Sequence, residues 1–328
     1  MRINKKKLRC LIAVLICLVL LCLAGCKDSA DNSETGGHIK NAKDSITKAA
    51  DNDTAPTPEP TAEPTPEPTA EPEPAEEIPE EEEYEPEEPE YIKIANPDWE
   101  YYYGGEYVEP ETNLSLKQAS KKSNDILDFG TWCNEVGFEA PYDPYSLMDD
   151  LFIYNLYGDE RNGENWSQYM IDICDICTGF PMYTLDFSDF YIPDTIKEGD
   201  EFFVDENIHW VVCKDDVLYL SIYHSTYAES APHNGYIMAL DMNDNFRVLW
   251  KTEPLTCNTD NFIVTDDALI CGYGFTKEDD FVYVLDRDSG VRMHSYKVKT
   301  GPDWFHLVGD KLYVRCYDTD YVFDVITE

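Results

Sequence analysis

Four copies of one pattern constrain the fold of this chain more than any other feature. Each copy begins with a short turn that contains Asp or Gly and continues into a run in which every second residue is apolar. The copies are DDLFIYNLY (149–157), DDVLYLSIY (215–223), DDALICGYG (266–274) and GDKLYVRCY (309–317). Because side chains alternate between the two faces of a strand, this period predicts four β-strands.

A second unit follows each copy and consists of a strand, a turn and another strand. Its copies are CDICTGFPMY (174–183), LDMNDNFRVLW (240–250), LDRDSGVRMHSY (285–296) and a truncated FDVITE (323–328). An Asp stands at one position in all four, and three turns carry a Gly or Asn suited to positive φ, because Asp bonds to turn amides and Gly tolerates that conformation. These predicted turn residues are Asp175, Gly179, Asp241, Asn245, Asp286, Gly290 and Asp324.

Strand pairs that recur every 40 to 60 residues or so predict a β-propeller, since a single four-stranded blade cannot bury its own faces. We therefore expect an all-β domain of about four blades over residues 121–328. The last copy stops one strand short, and the segment 124–132 precedes the first copy without a partner. Because open sheet edges invite association, we expect that N-terminal strand to complete the last blade. The alternative is a dimer of two half-rings.

The second unit resembles the PQQ-like, or quinoprotein-type, propeller repeat, in which Ala-Leu-Asp-x-x-Thr-Gly is followed by Trp. The matching residues are Ala239-Leu240-Asp241 with Trp250, Leu285-Asp286 with Ser289-Gly290, and Asp175 with Thr178-Gly179. The resemblance implies the propeller fold, and it implies little about function because such repeats occur in cofactor enzymes and in cofactor-free scaffolds. Only Trp250 keeps the tryptophan, and four blades are fewer than the roughly eight of quinoprotein dehydrogenases. We therefore expect neither PQQ nor calcium.

The N-terminus predicts export. A basic stretch, MRINKKKLR, precedes an apolar run that is too short for a comfortable membrane span, which is typical of a signal peptide over residues 1–25. The run ends in LAGC, which resembles the lipobox of bacterial prolipoproteins and implies a lipid on Cys26. The alternative is an uncleaved helical anchor. We expect an extracytoplasmic protein that is anchored to the bacterial cell membrane through the lipid at Cys26.

Two low-complexity segments follow the predicted lipid site. Residues 26–55 are polar without an apolar period and predict a disordered tether. Residues 56–90 are rich in Pro, Glu and Thr, and the stretch 59–90 holds fifteen Glu and no Lys or Arg, which predicts an extended, semi-rigid stalk. With a formal net charge of −41, the chain should repel phosphate backbones, so nucleic acid is not expected as a partner.

An aromatic-rich segment over residues 91–120 connects the stalk to the predicted propeller. It holds Trp99 and a run of tyrosines, YYY at 101–103. Either the segment packs along the folded domain, or its rings form a recognition patch for protein or glycan.

A Cys-x-x-Cys pair, Cys174 and Cys177, raises the question of redox or metal chemistry. Cys174 occupies the strand position held by Leu240 and Leu285 in other copies, and Cys177 lies in the adjoining turn. Redox pairs depend on a helix N-terminus to lower the thiol pKa, and no second pair completes a zinc site. We expect Cys174 to be a core residue.

Three long loops between corresponding strands should emerge on one face of the ring, where binding residues are commonly found. They are 158–166, 224–235 and 274–280, and their candidate binding residues are Trp166, His224, Glu229, His233 and Phe275. His224, Glu229 and His233 could alternatively hold zinc or nickel, although a solvated loop explains them equally simply.

The sequence carries no Gly-x-Ser-x-Gly, His-Glu-x-x-His or phosphate loop, so no catalytic residue is assigned. We expect a non-catalytic binding or scaffold module for a surface protein or a glycan. One alternative is a cofactor-binding or enzymatic subunit of quinoprotein type, and another is a ligand-sensing ectodomain.

Overall fold

A computed structural model describes residues 88–98, 100–106, 109–125, 128–158, 160–161, 165–191, 205–224, 234–276 and 278–327. Cys26, the signal peptide, the tether and nearly all of the stalk lie outside the described residues. The described part of the chain is mostly β-strand with two short helices, which confirms the prediction of a mostly β fold.

The first two sheets each have five strands. The first has the order β1-β9-β8-β5-β4, and the second has the order β10-β11-β12-β13-β2. Their bounds are β1 Glu90–Lys93, β2 Tyr102–Tyr103, β4 Ser146–Met148, β5 Phe152–Tyr157, β8 Met170–Asp175, β9 Pro181–Asp186, β10 Asn207–Lys214, β11 Val217–Tyr223, β12 Tyr236–Asp241 and β13 Arg247–Lys251.

The next two sheets each have four strands, in the orders β14-β15-β16-β17 and β18-β19-β20-β3. Their bounds are β3 Leu114–Ser123, β14 Ile263–Val264, β15 Ala268–Tyr273, β16 Phe281–Asp286, β17 Arg292–Lys297, β18 Pro302–Val308, β19 Lys311–Cys316 and β20 Thr319–Thr327. A two-stranded ribbon, β6 Glu160–Arg161 and β7 Asn165–Trp166, and two helices, α1 Phe129–Val136 and α2 Ser188–Tyr191, complete the described elements.

The four alternating runs found in the sequence are β5, β11, β15 and β19, the second strands of their antiparallel meanders. The Asp of each second unit pairs with the first residue of the preceding strand, so the register repeats from sheet to sheet. The pairs are Asp175 with Phe152, Asp241 with Val217, Asp286 with Ala268 and Asp324 with Lys311.

The segment expected to connect stalk and propeller contributes a strand to three of the four sheets. β1 pairs in parallel with β9, β2 pairs with β13, and β3 pairs with β20 over nine residue pairs. The domain boundary predicted at residue 121 therefore falls within β3. An N-terminal strand does complete the last sheet, but it is residues 114–123 and not residues 124–132.

Helix α1 replaces the strand expected within residues 124–132, because its ends carry specific capping residues. The Asp128 carboxylate accepts the Thr131 amide at 3.1 Å, and Gly137 ends the helix with a φ of 71° while its N–H bonds to Cys133 O. Trp132 is the buried residue of this helix.

Aromatic side chains on the fourth strands of the first three sheets pack against the sheet that follows. Tyr183 on β9 meets Phe246 of the second sheet edge to face, with ring centroids 5.0 Å apart. On β13, Trp250 lies under Gly290, where a Cβ atom would come within 2.5 Å of the indole. Further along, Tyr296 on β17 meets Phe323 of the fourth sheet at 6.1 Å. Tyr183 therefore packs on the next sheet from the same register position as Trp250, whereas Tyr296 lies two residues beyond His294, which holds that position in the third sheet.

The Cys-x-x-Cys pair is divided between core and surface. Cys174 is buried on β8, whereas Cys177 is exposed in the following turn. Burial raises the pKa of the Cys174 thiol, which is opposite to the shift of a redox-active thiol. The geometry agrees with the expected packing role of Cys174.

Candidate functional site

A cavity of about 490 Å³ opens between the third and fourth sheets. It lies at the ends of β15 and β19, the end of the sheets from which the predicted binding loops emerge. Its lining residues are Gly274, Phe275, Thr276, Glu278, Asp280, Thr300, Gly301, Asp303 and Tyr317. The volume falls in the range of small-ligand sites, roughly 300–1,000 Å³.

Two glycines allow the loops that form this cavity to touch. A Cβ atom on Gly274 would lie 2.6 Å from the Gly301 Cα, so the two backbones pass closer than any side chain would permit. The Asn258 side chain holds the first loop, since it accepts from Gly274 N at 3.1 Å and donates to Gly274 O at 2.8 Å. The Tyr317 amide donates to Gly301 O at 3.0 Å and fixes the opposite wall.

Two acidic side chains of the cavity, Asp280 and Asp303, have raised pKa values. Burial and the neighbouring charges of Asp279 and Glu278 raise the pKa of Asp280 to about 6. Burial and the charge of Asp260 raise the pKa of Asp303 to about 7. A carboxyl group that is partly protonated both donates and accepts hydrogen bonds, as a ligand hydroxyl also does.

Two aromatic rings complete the lining. The Phe275 ring belongs to the loop after β15 and is half-buried. Tyr317 follows β19 and is 60% exposed. Aromatic faces beside convergent polar groups are the usual composition of a ligand pocket.

A neighbouring ion-pair network supports the cavity floor. Asp318 accepts from the Thr300 hydroxyl at 3.0 Å and from Lys299 Nζ at 2.6 Å. These bonds lower the pKa of the Asp318 carboxyl to about 2, with the Lys299 hydrogen bond as the largest cause. Asp318 is therefore ionised at any physiological pH.

Of the predicted binding residues whose side chains the structure describes, Phe275 lines this cavity and His224 does not. Trp166 ends β7. Glu229 and His233 lie outside the described residues. His224 is not part of a solvated surface: it is 4% exposed, and Asn234 bonds to both its backbone N and its backbone O.

Next to His224 lies a buried acid. The Glu206 carboxylate is 3.9 Å from His224 Nε2, and burial raises the Glu206 pKa well above its usual value. Among the residues that the structure describes, no three His, Cys, Asp or Glu side chains lie together in a way that could hold a metal ion.

The predicted turn residues occupy the opposite ends of the sheets. Asp175 accepts from Thr178 N at 2.9 Å, and Asp286 accepts from Ser289 N at 2.7 Å. Gly179, Asn245 and Gly290 have φ values of 71°, 50° and 70°. Asp324 differs, because it lies inside β20, which continues without a turn to Thr327.

Sequence reasoning found one wall of the cavity, the loop 274–280, and missed the other, namely Thr300, Asp303 and Tyr317. These residues come from two consecutive repeats, and an alignment of repeats compares equivalent positions but does not show which loops of different repeats meet. The glycines at the strand ends, Gly274 and Gly301, could have indicated that the two loops meet, since an isolated Gly beside a strand often marks a close approach of another backbone.

No helix in the described part of the chain has the length and apolar composition needed to cross a membrane.

Comparison with known families found no family model that matches the chain. No curated protein matches it either. Solved structures with detectable similarity include BamB from Moraxella catarrhalis, at 15% identity and a TM-score of 0.31, covering 54% of this chain and 57% of that one. A europium-containing methanol dehydrogenase has 14% identity and a TM-score of 0.31, and the match covers 56% of this chain and 27% of that one. Saccharomyces cerevisiae Sqt1 has 12% identity and a TM-score of 0.34, and the match covers 53% of this chain and 41% of that one. The chain thus spans less than two thirds of the length of each of these three proteins.

Proposed function

We propose that this protein is a lipid-anchored, extracytoplasmic β-propeller of four blades that binds a glycan without catalysis, and that the cavity between the third and fourth sheets is its binding site. The single observation that carries the proposal is that cavity, in which aromatic rings and partly protonated carboxyls converge.

The packing of the sheets supports a four-bladed ring. Continuous buried clusters join the first sheet to the second, the second to the third, and the third to the fourth. On the remaining side, Phe129 of α1 stacks on Trp304 of the fourth sheet at 5.4 Å, and the chain continues from α1 into β4 of the first sheet. The innermost strands of non-adjacent sheets also meet, since Trp210 packs edge to face on Trp304 at 6.4 Å. Opposite blades of a four-bladed ring would make that contact.

The same indole pair supports a ring without a central quinone. In the proposed ring the indoles of Trp210 and Trp304 would meet near the axis, which would leave less room for a cofactor than in a wider propeller. Our proposal therefore includes neither PQQ nor calcium. It predicts that added calcium leaves the melting temperature unchanged and that the purified protein carries no visible chromophore.

A sugar is the ligand class that the cavity chemistry fits best. The apolar faces of sugar rings stack on aromatic side chains, here Phe275 and Tyr317, while hydroxyl groups need partners that donate and accept. Thr300 and the carboxyls of Asp280 and Asp303 supply both roles. Phosphorylated ligands are disfavoured by the carboxylates and by the net charge of −41.

Anchoring at the cell surface rests on the N-terminal sequence. The basic and apolar leader, Cys26 and the Glu-rich stalk together suit a protein held at a membrane and extended away from it. Replacement of Cys26 by Ser should move the protein from the membrane fraction to the soluble extracytoplasmic fraction. Retention of the Cys26→Ser protein in the membrane would favour an uncleaved helical anchor.

Binding can be tested with the mature chain carrying Cys26→Ser, probed on an array of neutral and amino sugars and on purified peptidoglycan. We expect Tyr317→Ala to weaken binding of the best glycan at least tenfold. Tyr142→Ala is the matched control, because Tyr142 is fully exposed and lies outside the cavity lining. Absence of glycan binding, or equal losses in the two variants, would refute the proposed site.

A further inference from the structure

The outermost strand differs in origin from sheet to sheet: it is an N-terminal strand in the first, second and fourth sheets and β17, a strand of the repeat itself, in the third. β1 adds to β9 in the first sheet, β2 adds to β13 in the second, and β3 adds to β20 in the fourth. In the third sheet β17 is the last strand, and nothing within the described residues pairs with its outer side. Unpaired edge strands present a row of backbone donors and acceptors to any extended chain.

The free backbone groups of β17 can be assigned from its ladder. Val298 N donates to Asp280 O at 2.9 Å, so the backbone polar groups of Val298 point inward to β16. Successive residues of an antiparallel strand point these groups alternately to its two sides. The N–H and C=O of Ser295 and Lys297 therefore point outward, away from the sheet.

The edge carries positive charge on a strongly acidic protein. Residues 289–302 contain no Asp or Glu, and Arg292 and Lys297 are exposed on β17. The Arg292 guanidinium is held in place, since it lies 3.9 Å over the Tyr283 ring and donates to the Thr256 hydroxyl at 3.0 Å. Lys297 bonds to Asp279 on the surface, and both side chains are more than 60% exposed, so solvent screens this pair.

A second cavity adjoins the start of β17. It holds about 200 Å³ and is lined by Tyr101, Glu253, Thr256, Gly290, Val291 and Arg292. A strand laid along β17 would end beside it and could place one side chain inside. Strand addition commonly combines main-chain hydrogen bonds, which supply affinity, with such pockets, which supply specificity.

We propose that β17 is a strand-addition site for an extended acidic segment of a protein partner. Side chains directly opposite each other in a sheet stabilise it when their charges are opposite and destabilise it when they are alike. An added strand with Glu or Asp opposite Arg292 and Lys297 satisfies this rule. A second copy of β17 would place positive charge against positive charge, which disfavours a homodimer through this edge.

The experiment uses the mature chain carrying Cys26→Ser and two fluorescent peptides, acetyl-Glu-Val-Glu-Val-Glu-Val-amide and its Lys-for-Glu counterpart. We expect the Glu peptide to bind at least tenfold more tightly than the Lys peptide. Ser295→Pro removes one outward N–H without touching the β16 ladder and should weaken binding at least tenfold. Ser295→Thr keeps that N–H and should bind within about twofold of the parent.

A charge-reversal variant keeps the proposal testable if the Ser295→Pro protein fails to fold. Lys297→Glu changes an exposed side chain and should reduce the preference for the Glu peptide at least fivefold. Tyr317→Ala should leave peptide binding unchanged, which separates this edge from the glycan cavity. Equal affinity for the two peptides, no detectable binding, unchanged binding by a folded Ser295→Pro protein, or a dimer that Ser295→Pro dissociates would overturn the proposal.

Discussion

A substitution at Gly290 tests two features at once: the positive φ of the repeat turn and the packing of that turn on the neighbouring sheet. Gly290 has a φ of 70°, and its backbone lies on the Trp250 ring of the preceding sheet. Gly179 occupies the equivalent turn of the first sheet with a φ of 71°, but a Cβ atom there would meet nothing within 4 Å. The two positions therefore differ in packing while sharing one backbone conformation.

The expected cost of alanine follows from that difference. At Gly179, alanine pays only for the left-handed conformation, about 1 kcal/mol. At Gly290 the new Cβ would lie 2.5 Å from Trp250 Cε3, and the indole has little room to retreat because it is 1% exposed and its Nε1 donates to Arg287 O at 3.0 Å. Overpacking of a buried site adds about 1–3 kcal/mol, so Gly290→Ala should cost about 2–4 kcal/mol in total.

Urea unfolding of the mature chain carrying Cys26→Ser, followed by tryptophan fluorescence, measures both variants under one condition. The free energy of unfolding should fall at least 1 kcal/mol further for Gly290→Ala than for Gly179→Ala, with unchanged m-values. Equal losses would show that the turn of the third sheet does not dock on Trp250, and the proposed packing of successive sheets would be wrong.

Three further predictions concern the fourth sheet. Asn261→Ala should cost about 2–4 kcal/mol in urea unfolding, because the Asn261 side chain accepts from Phe305 N at 2.8 Å and donates to Phe305 O at 2.9 Å in a buried place. Leu116→Ala in β3 should cost about 2–4 kcal/mol, since Leu116 is 6% exposed, whereas the exposed neighbour Lys117→Ala should cost under about 0.5 kcal/mol. Burial and a neighbouring carboxylate raise the pKa of Asp303 to about 7, so the folded protein holds this proton more tightly than the unfolded chain does. The protonated Asp303 therefore does not destabilise the fold below about pH 4, and the free energy of unfolding falls as the pH rises to 7 and the buried carboxyl ionises. Asp303→Asn should therefore be more stable than the parent at pH 8, by about 4 kcal/mol, and equally stable at pH 4; no gain at pH 8 would contradict the assigned burial.

The strands of the repeats could be predicted from the sequence because the alternation of apolar residues and the turn residues both indicate strands at the same positions. β3 was not readable in this way, since only Leu114 and Leu116 of its ten residues are buried and the rest of LSLKQASKKS is polar. Its pairing is determined by the open edge of β20, which is a tertiary effect. The segment beside it is helical because Asp128 caps its start and Gly137 ends it, and neither residue was considered as a cap in the sequence.

The candidate site was predictable only on one of its sides. The loop 274–280 was predicted to lie on the same face as the two longest loops, and Phe275 in it lines the cavity. The other wall, Thr300 to Asp303, connects β17 to β18 across two sheets and is short and unremarkable as a sequence. The pairing of these walls depends on the backbone contact between Gly274 and Gly301, which no pattern within a single repeat encodes.

Closure of the ring by the chain's own N-terminal strand is the claim on which the account depends most, and a disulfide across β3 and β20 tests it directly. Ser115 pairs with Ile326, and both positions are accessible. Opposite residues of an antiparallel pair have the Cα separation that a disulfide requires. The mature Cys26→Ser chain carrying Ser115→Cys and Ile326→Cys should, after mild oxidation, give a monomer whose peptide map contains the 115–326 crosslink. Crosslinked dimers that are absent from the parent chain would show instead that β3 completes the sheet of a second copy.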